Sequence, residues 1–157
     1  MRDNLKNVNL TIFSEFLSQE DFKDLLYSSY SVDKCIIGAT EITTNEKEHY
    51  HCYVSLSRKV GFEGFKKTFP SAHIEQVYGS IKQNYDYCCK CGEPFYISFD
   101  INNFLQKEEL KDSIERDLIN DIFINKLPLK VIILKYPKYA IYNIRSIKEL
   151  IEVRDNE

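Results

Sequence analysis

The sequence predicts an α+β fold: a five-stranded antiparallel sheet with helices, of the split-βαβ kind, followed by a small helical C-terminal module. Three observations predict it. Between residues 48 and 57 apolar and polar side chains alternate strictly, which is the period of a strand with two unlike faces. Segments of helical spacing interrupt such runs in the order β-α-β-β-α-β-α-β. Beyond Asp100 the spacing becomes helical throughout, which divides the chain into a domain over 1–101 and a segment over 102–157.

The elements follow in order. "VNLTIF" (8–13) reads as a first strand. Ser18 caps a helix over 19–29, with Phe22, Leu25 and Leu26 as its apolar stripe. "DKCIIGATEI" (33–42) is a second strand, "TTNEK" a turn, and 48–57 the third strand of a hairpin. Phe62, Phe65 and Phe69 recur at helical spacing over 61–70, and Pro70 helps to stop that helix. "AHIEQVYG" (72–79) is a fourth strand. Ser80 and Gln83 match a capping box opening a helix to about Lys90, and "PFYISF" (94–99) is a fifth strand. In this arrangement the helices lie largely on one side of the sheet. Leu110, Ile114, Leu118 and Ile122 then step by four, and Ser146-x-x-Glu149 marks a cap before a final short helix.

Composition narrows the function classes. The 157 residues are 43% hydrophobic with 11 Tyr and 10 Phe, enough to bury a core, which excludes a disordered chain. No apolar run approaches a membrane span, and the opening "MRDNLKNVNL" is too polar for a signal peptide. Five cysteines without a secretory signal predict a reducing, intracellular setting rather than a disulfide scaffold. Charge is unevenly spread. Over 47–90 seven cations face four anions, whereas over 93–123 three cations face eight anions. A polyanion would go to the first stretch.

Within "EKEHYHCYVSL" (47–57), Tyr50, Cys52, Val54 and Leu56 share one strand face, and His49, His51, Tyr53 and Ser55 share the other. Two imidazoles one pleat repeat apart can share a metal ion, or simply face solvent. A turn centred on Asn45 puts Glu41 directly across from His49, within the roughly 4.5–5.5 Å Cβ separation of cross-strand pairs. Two imidazoles and one carboxylate with open positions suit a catalytic divalent cation better than a structural one. Gly38 and Ala39, just before Glu41, leave room for a substrate backbone. Tyr87 and Lys90 are three apart on the predicted helix and share a face. Cys88 and Cys91 form a C-x-x-C that could join His49, His51 or His73 in a structural zinc site.

Read together, "HYHCYVSLSRKVGFEGFKKTFPSAHIEQVYGSIKQNYDYCCKCGEPF" resembles the replication initiator (Rep) proteins of small circular single-stranded DNA viruses and related plasmids. These are HUH endonucleases, named for a histidine–hydrophobic–histidine motif. The matching features are His49-Tyr50-His51, "FPSAHIE" leading into "YGS", and Tyr87-Cys88-Cys89-Lys90 as the Y-x-x-K motif; the likeness covers about residues 8–100. The family's upstream metal-binding glutamate falls on Glu41. "NLTIF" keeps Leu10 and Thr11 of the first motif but lacks the residue that commonly follows it.

The resemblance implies sequence-specific nicking and joining of single-stranded DNA at a rolling-circle origin hairpin. It assigns Mn²⁺ or Mg²⁺ to Glu41, His49 and His51, attack on phosphorus to Tyr87 with a 5′-phosphotyrosine intermediate, and orientation of phosphate or tyrosine to Lys90. Tyr85 is the backup nucleophile. Candidate DNA contacts are Thr11, Arg58, Lys59, Lys66, Lys67 and Lys82. The setting is the host nucleus for a eukaryotic virus and the cytoplasm otherwise. Alternatives are a single-tyrosine HUH transposase, a non-catalytic RNA-recognition-like module and a zinc-stabilised interaction domain. The last glycine is Gly92, so the phosphate-binding loop of the helicase that commonly follows in this family cannot occur after it. A nuclease-only protein or a truncated one is expected. Residues 118–154 resemble the family's short helical segment between domains; their apolar residues, too few for a core of their own, predict association of subunits.

Overall fold

The computed structural model describes residues 4–156; residues 1–3, counted in the predicted 1–101 domain, and residue 157 lie outside the described residues. The chain divides into two compact units, the first ending at Phe104 and the second beginning at Leu105.

The first unit is the predicted α+β fold. Its elements are β1 (Asn4–Phe13), α1 (Gln19–Ser29), β2 (Val32–Ile37), β3 (Glu41–Ile42), β4 (Glu48–Gly61), α2 (Phe62–Thr68), β5 (His73–Gln76), α3 (Ile81–Cys88) and β6 (Tyr96–Ile97). All pairings are antiparallel, in the order β5-β1-β4-β2-β6, with β3 added to β4. The sheet has six strands rather than five because the predicted second strand breaks at Gly38. Gly38 still donates its N–H to the His51 carbonyl at 2.8 Å; the main chain there passes closely beneath the end of α3, and the ladder resumes at Glu41. β4 runs four residues past its predicted end, since Asn4 and Leu5 of β1 continue the ladder to Gly61 and Val60.

One face of the sheet carries the larger core. Leu5, Val8, Leu10 and Ile12 of β1 meet Tyr50, Cys52, Val54 and Leu56 of β4, and α1 and α2 close over them with Phe22, Leu26 and Phe65. Ser18 accepts a hydrogen bond from the Asp21 amide at 3.1 Å and starts α1, so that its apolar stripe meets this face. Phe65 packs on Phe69 with ring centroids 5.1 Å apart, and Phe69 on Phe22 at 5.2 Å. Each such buried aromatic contributes about 1.5–3 kcal/mol.

The other face is not solvated. α3 lies over it, and Cys88 packs there with Ile36 and Tyr53. The helices therefore cover both sides of the sheet, contrary to the one-sided arrangement expected. Strict alternation is usually the sign of a wet second face. Here His49, His51, Tyr53 and Ser55 are polar enough to keep that pattern and are nevertheless 9% exposed or less. Both halves of the capping box at Ser80 and Gln83 are made, which fixes where α3 begins.

The second unit holds most of α4 (Ile101–Phe123), then α5 (Leu129–Lys135) and α6 (Pro137–Asp155). It does form a core of its own: Leu118, Ile122, Ile132, Ala140 and Ile147 are buried together, with Leu129 and Leu150 packed against them. Ile133, next to the buried Ile132 on α5, is 36% exposed. Ser146 caps nothing, because the last helix starts at Pro137, whose ring suits the first helical position, and only kinks at Asn143. Arg154 near its end donates to the Leu127 carbonyl at 2.9 Å.

Asp121 ties this unit together. Its carboxylate accepts from Lys135 Nζ at 2.6 Å, Tyr136 Oη at 2.6 Å and Asn125 Nδ2 at 2.8 Å. Those bonds, Lys135 first, hold its pKa down at about 2. A carboxylate depressed in the fold stabilises it above the unfolded value of about 3.9, and that contribution is lost as pH falls toward 2. Asp121→Asn should therefore lower the melting temperature at pH 7, and the gap to the parent should close in melts taken below about pH 4. A constant gap down to pH 3 would mean that the charge on Asp121 is not what counts.

Candidate metal centre and the adjoining tyrosine

Three elements meet at one carboxylate. β3 pairs with β4 in the register Glu41↔His49, the pairing the hairpin argument predicts. Glu41 thereby lies over the side of β4 that carries His49 and His51. Its Oε1 is 2.5 Å from His49 Nε2 and 2.8 Å from His51 Nε2. One ligand atom from each of the three residues lies within 4.8 Å of the others, which makes them a group able to hold a metal ion. Two imidazoles and a carboxylate on one side leave positions open to a further ligand, as a divalent catalytic ion requires.

The helix above supplies the rest. The ring of Tyr87 lies 4.6 Å, centroid to centroid, from that of His51, and Tyr87 is 38% exposed. α3 ends at Cys88, so Lys90 stands in the turn after the helix rather than on its face. It still reaches the site: Lys90 Nζ is 3.0 Å from Glu41 Oε1 and 5.5 Å from the centre of the Tyr87 ring. Tyr85, two residues from Tyr87, does not share its face and packs with Ile36, Tyr53 and Cys88.

Charge follows from these contacts. Burial raises the affinity of Glu41 for a proton, but hydrogen bonds from Cys91, Lys90 and His51 outweigh it and hold the carboxyl at about 2. Burial pushes His51 below the ordinary imidazole value, against the pull of Glu41. The bond to Glu41 raises Lys90, so the lysine is a cation. An anionic carboxylate beside an uncharged imidazole is the state that binds a metal ion.

Sequence reasoning missed two contacts. Thr11, expected at the DNA, has its hydroxyl 3.0 Å from His51 Nδ1; β1 runs beside β4 in the register Thr11↔His51, which puts it there. Cys91 Sγ donates to Glu41 Oε2 at 2.5 Å, and nothing in the residue order marks it. The C-x-x-C is split: Cys88, the last residue of α3, is buried and Cys91 is exposed, while His73 pairs with Glu75 on β5. An RNA-recognition platform needs open aromatics on the central strands, yet Tyr53 is 5% exposed.

Most of the candidate DNA contacts lie elsewhere. Lys66 and Lys67 are on α2, across the sheet, and Lys66 donates to the Ala72 carbonyl. Arg58 is seven residues along β4 from His51, roughly 23 Å at strand rise. Lys59 is one residue further. Lys82 is on α3, on Asp86 at 2.8 Å.

Gly38 does not leave room for a substrate. A Cβ there would collide with the backbone carbonyl of Cys88 and stand 3.1 Å from that of His51. The bare glycine lets the end of α3, with Tyr87 and Lys90, come down onto β4. Gly38→Ala should push α3 off by something near an ångström. That should slow the reaction proposed below by on the order of 100-fold, since displacements of this size disrupt reacting geometry. Overpacking should also cost about 1–3 kcal/mol of stability. Single-turnover rates and thermal melts measure the two effects, and an unchanged rate would show that α3 is not seated by this contact.

An antiparallel α+β sheet with two histidines on its central strand, a glutamate across from them, and a tyrosine and a lysine brought over by one helix is an HUH-type fold. The chain belongs to the viral replication protein family: the family described as "Putative viral replication protein" matches residues 13–91, half of the 157. Over 66 residues the chain is 39% identical to the Para-Rep C2 of Subterranean clover stunt C2 alphasatellite. That stretch is 41% of this chain and 23% of the relative, so the chain matches less than a quarter of that protein's length.

Proposed function

We propose that this protein nicks and rejoins single-stranded DNA at a replication origin, with Tyr87 as nucleophile and a divalent cation held by Glu41, His49 and His51. The observation that carries this reading is the convergence of Tyr87, Lys90 and the three ligand residues on one carboxylate oxygen and one imidazole ring. Mn²⁺ or Mg²⁺ bound there supplies Lewis-acid polarisation of the scissile phosphate. Tyr87 Oη forms the new P–O bond as the bond from phosphorus to the 3′ oxygen breaks. The phenolic proton is matched by the one gained on the released 3′-hydroxyl, and the 5′ end stays on Tyr87. Lys90 positions the phosphate between tyrosine and carboxylate. Because the phosphodiester energy is kept in the tyrosine ester, a 3′-hydroxyl can reverse the step and seal the strand. Lys82 and Lys90 are the cations that α3 and the turn after it bring to the DNA; the setting is a compartment that holds the replicating DNA, the host nucleus or a bacterial cytoplasm.

The test is incubation of the full chain with the origin hairpin of its replicon, as single strand, plus Mn²⁺. A covalent adduct on a denaturing gel, lost with EDTA, is expected; cleavage that ignores EDTA would overturn the cation's part. For the second unit we propose association with a second copy, since Leu134, Ile141 and Tyr142 stay 72%, 72% and 86% exposed on α5 and α6. Light scattering over a concentration series should show oligomers, and a monomer at the highest concentration would remove this proposal. Among the described residues no helix is long and apolar enough to cross a membrane.

A further inference from the structure

The two histidines meet the same carboxylate and are held in different ways. His51 presents Nε2 to Glu41 at 2.8 Å and has Nδ1 3.0 Å from Thr11 Oγ1. His49 also presents Nε2 to Glu41, but its Nδ1 is buried with no hydrogen-bond partner among the described residues. Glu41 is an anion, so without an ion His51 Nε2–H donates to it and Nδ1 accepts from the threonine hydroxyl; a neutral His51 that gives its Nε2 lone pair to a cation must carry its proton on Nδ1, and the same hydroxyl then accepts that N–H.

Two features make Thr11 a fixed acceptor. Its Cα stands opposite that of His51 in the β1–β4 ladder, and its β-branched side chain has restricted χ1 freedom. His51 is 6% exposed, which leaves little room for water to take over the role. We infer that Thr11 is a positioning residue: its hydroxyl sets the ring orientation and tautomer of His51, so that His51 is the pre-ordered nitrogen ligand and His49 the adjustable one. The inference rests on the reading of Glu41, His49 and His51 as a cation site. It also gives Thr11 a role other than contact with DNA.

The test uses the full chain with Thr11, with Thr11→Val, which keeps the branched shape and loses the acceptor, and with Thr11→Ser, which keeps the hydroxyl. Mn²⁺ titrations followed by electron paramagnetic resonance read affinity without any DNA. Two-bond ¹H–¹⁵N spectra of the imidazoles at pH 8, with Mg²⁺ just sufficient to saturate the wild type, read which nitrogen of His51 carries the proton. Wild type should show the Nδ1–H form alone. Thr11→Val should show a mixture and bind Mn²⁺ 10–100-fold more weakly, the range typical for loss of a group that orients a ligand. Thr11→Ser should restore the single tautomer and most of the affinity. Circular dichroism melts of all three proteins separate this from misfolding. If Thr11→Val binds Mn²⁺ like wild type with His51 unchanged, or if Thr11→Ser is as weak as Thr11→Val, the inference is overturned while the cation site stands. If wild type takes up no Mn²⁺, the cation reading falls and the inference with it.

Discussion

Tyr87→Phe should abolish the covalent DNA adduct and leave DNA affinity and melting temperature nearly unchanged. The variant keeps the ring that packs 4.6 Å from His51 and removes only the oxygen that would join phosphorus. Removal of a covalent nucleophile from other enzymes has cost on the order of 10⁶-fold in turnover, so no adduct should be visible on a denaturing gel at any practical time. Tyr85→Phe is the control. Tyr85 packs against the cluster of Ile36, Tyr53 and Cys88 rather than against His51, and its phenol is pushed up first by burial. That variant should form adduct normally; if the loss appears there instead, the nucleophile has been misassigned.

Glu41→Gln and His51→Ala should each reduce Mn²⁺ affinity and adduct formation by more than about 100-fold, the upper end of what a supporting group costs. Glu41 is the more severe case because one oxygen serves His49, His51 and Lys90 together. Glutamine keeps the shape and removes the charge, so excess Mn²⁺ should rescue it poorly. The pH dependence has a definite sign. Glu41, held at about 2, is ionised throughout the working range and sets no acid limb there. Burial lowers His51, so its metal-binding neutral form persists below the ordinary histidine value of about 6.5. Adduct yield measured from pH 8 downward should hold through pH 6.5 before it falls. A fall centred above 7 would contradict the buried environment of His51.

Much of this was legible in the residue order, for identifiable reasons. Alternation over 48–57 locates both β4 and its histidines, because a pleated strand enforces a period of two. The turn after Ile42 is short, so counting back from it places Glu41 across from His49. What could not be read are contacts between elements far apart in sequence. Nothing in "HYHCYVSL" says that a helix will cover its polar side, since polar residues under a helix and polar residues in water alternate alike. Gly38 looks like space for a ligand until the carbonyl of Cys88, 50 residues later, fills it. Lys90 has helical spacing from Tyr87, yet the helix stops short of it and the turn delivers it instead. In the second unit, Ser146 and Glu149 imitate a cap, but Pro137 had already started the helix.

The double cover of β4 has a consequence for hydrogen exchange. β4 is bonded to β1 on one edge and to β2 on the other, with α1 and α2 on one face and α3 on the other. Amides at Cys52, Tyr53 and Val54 therefore have no route to solvent short of opening the whole first unit, and should be the last to take up deuterium. Glu41 stands on a two-residue strand paired on one side only, and its amide should exchange early. The candidate ion site would then join the slowest-opening part of the molecule to one of its fastest. Two of its three donors would hold their geometry through fluctuations that repeatedly carry the third away and back.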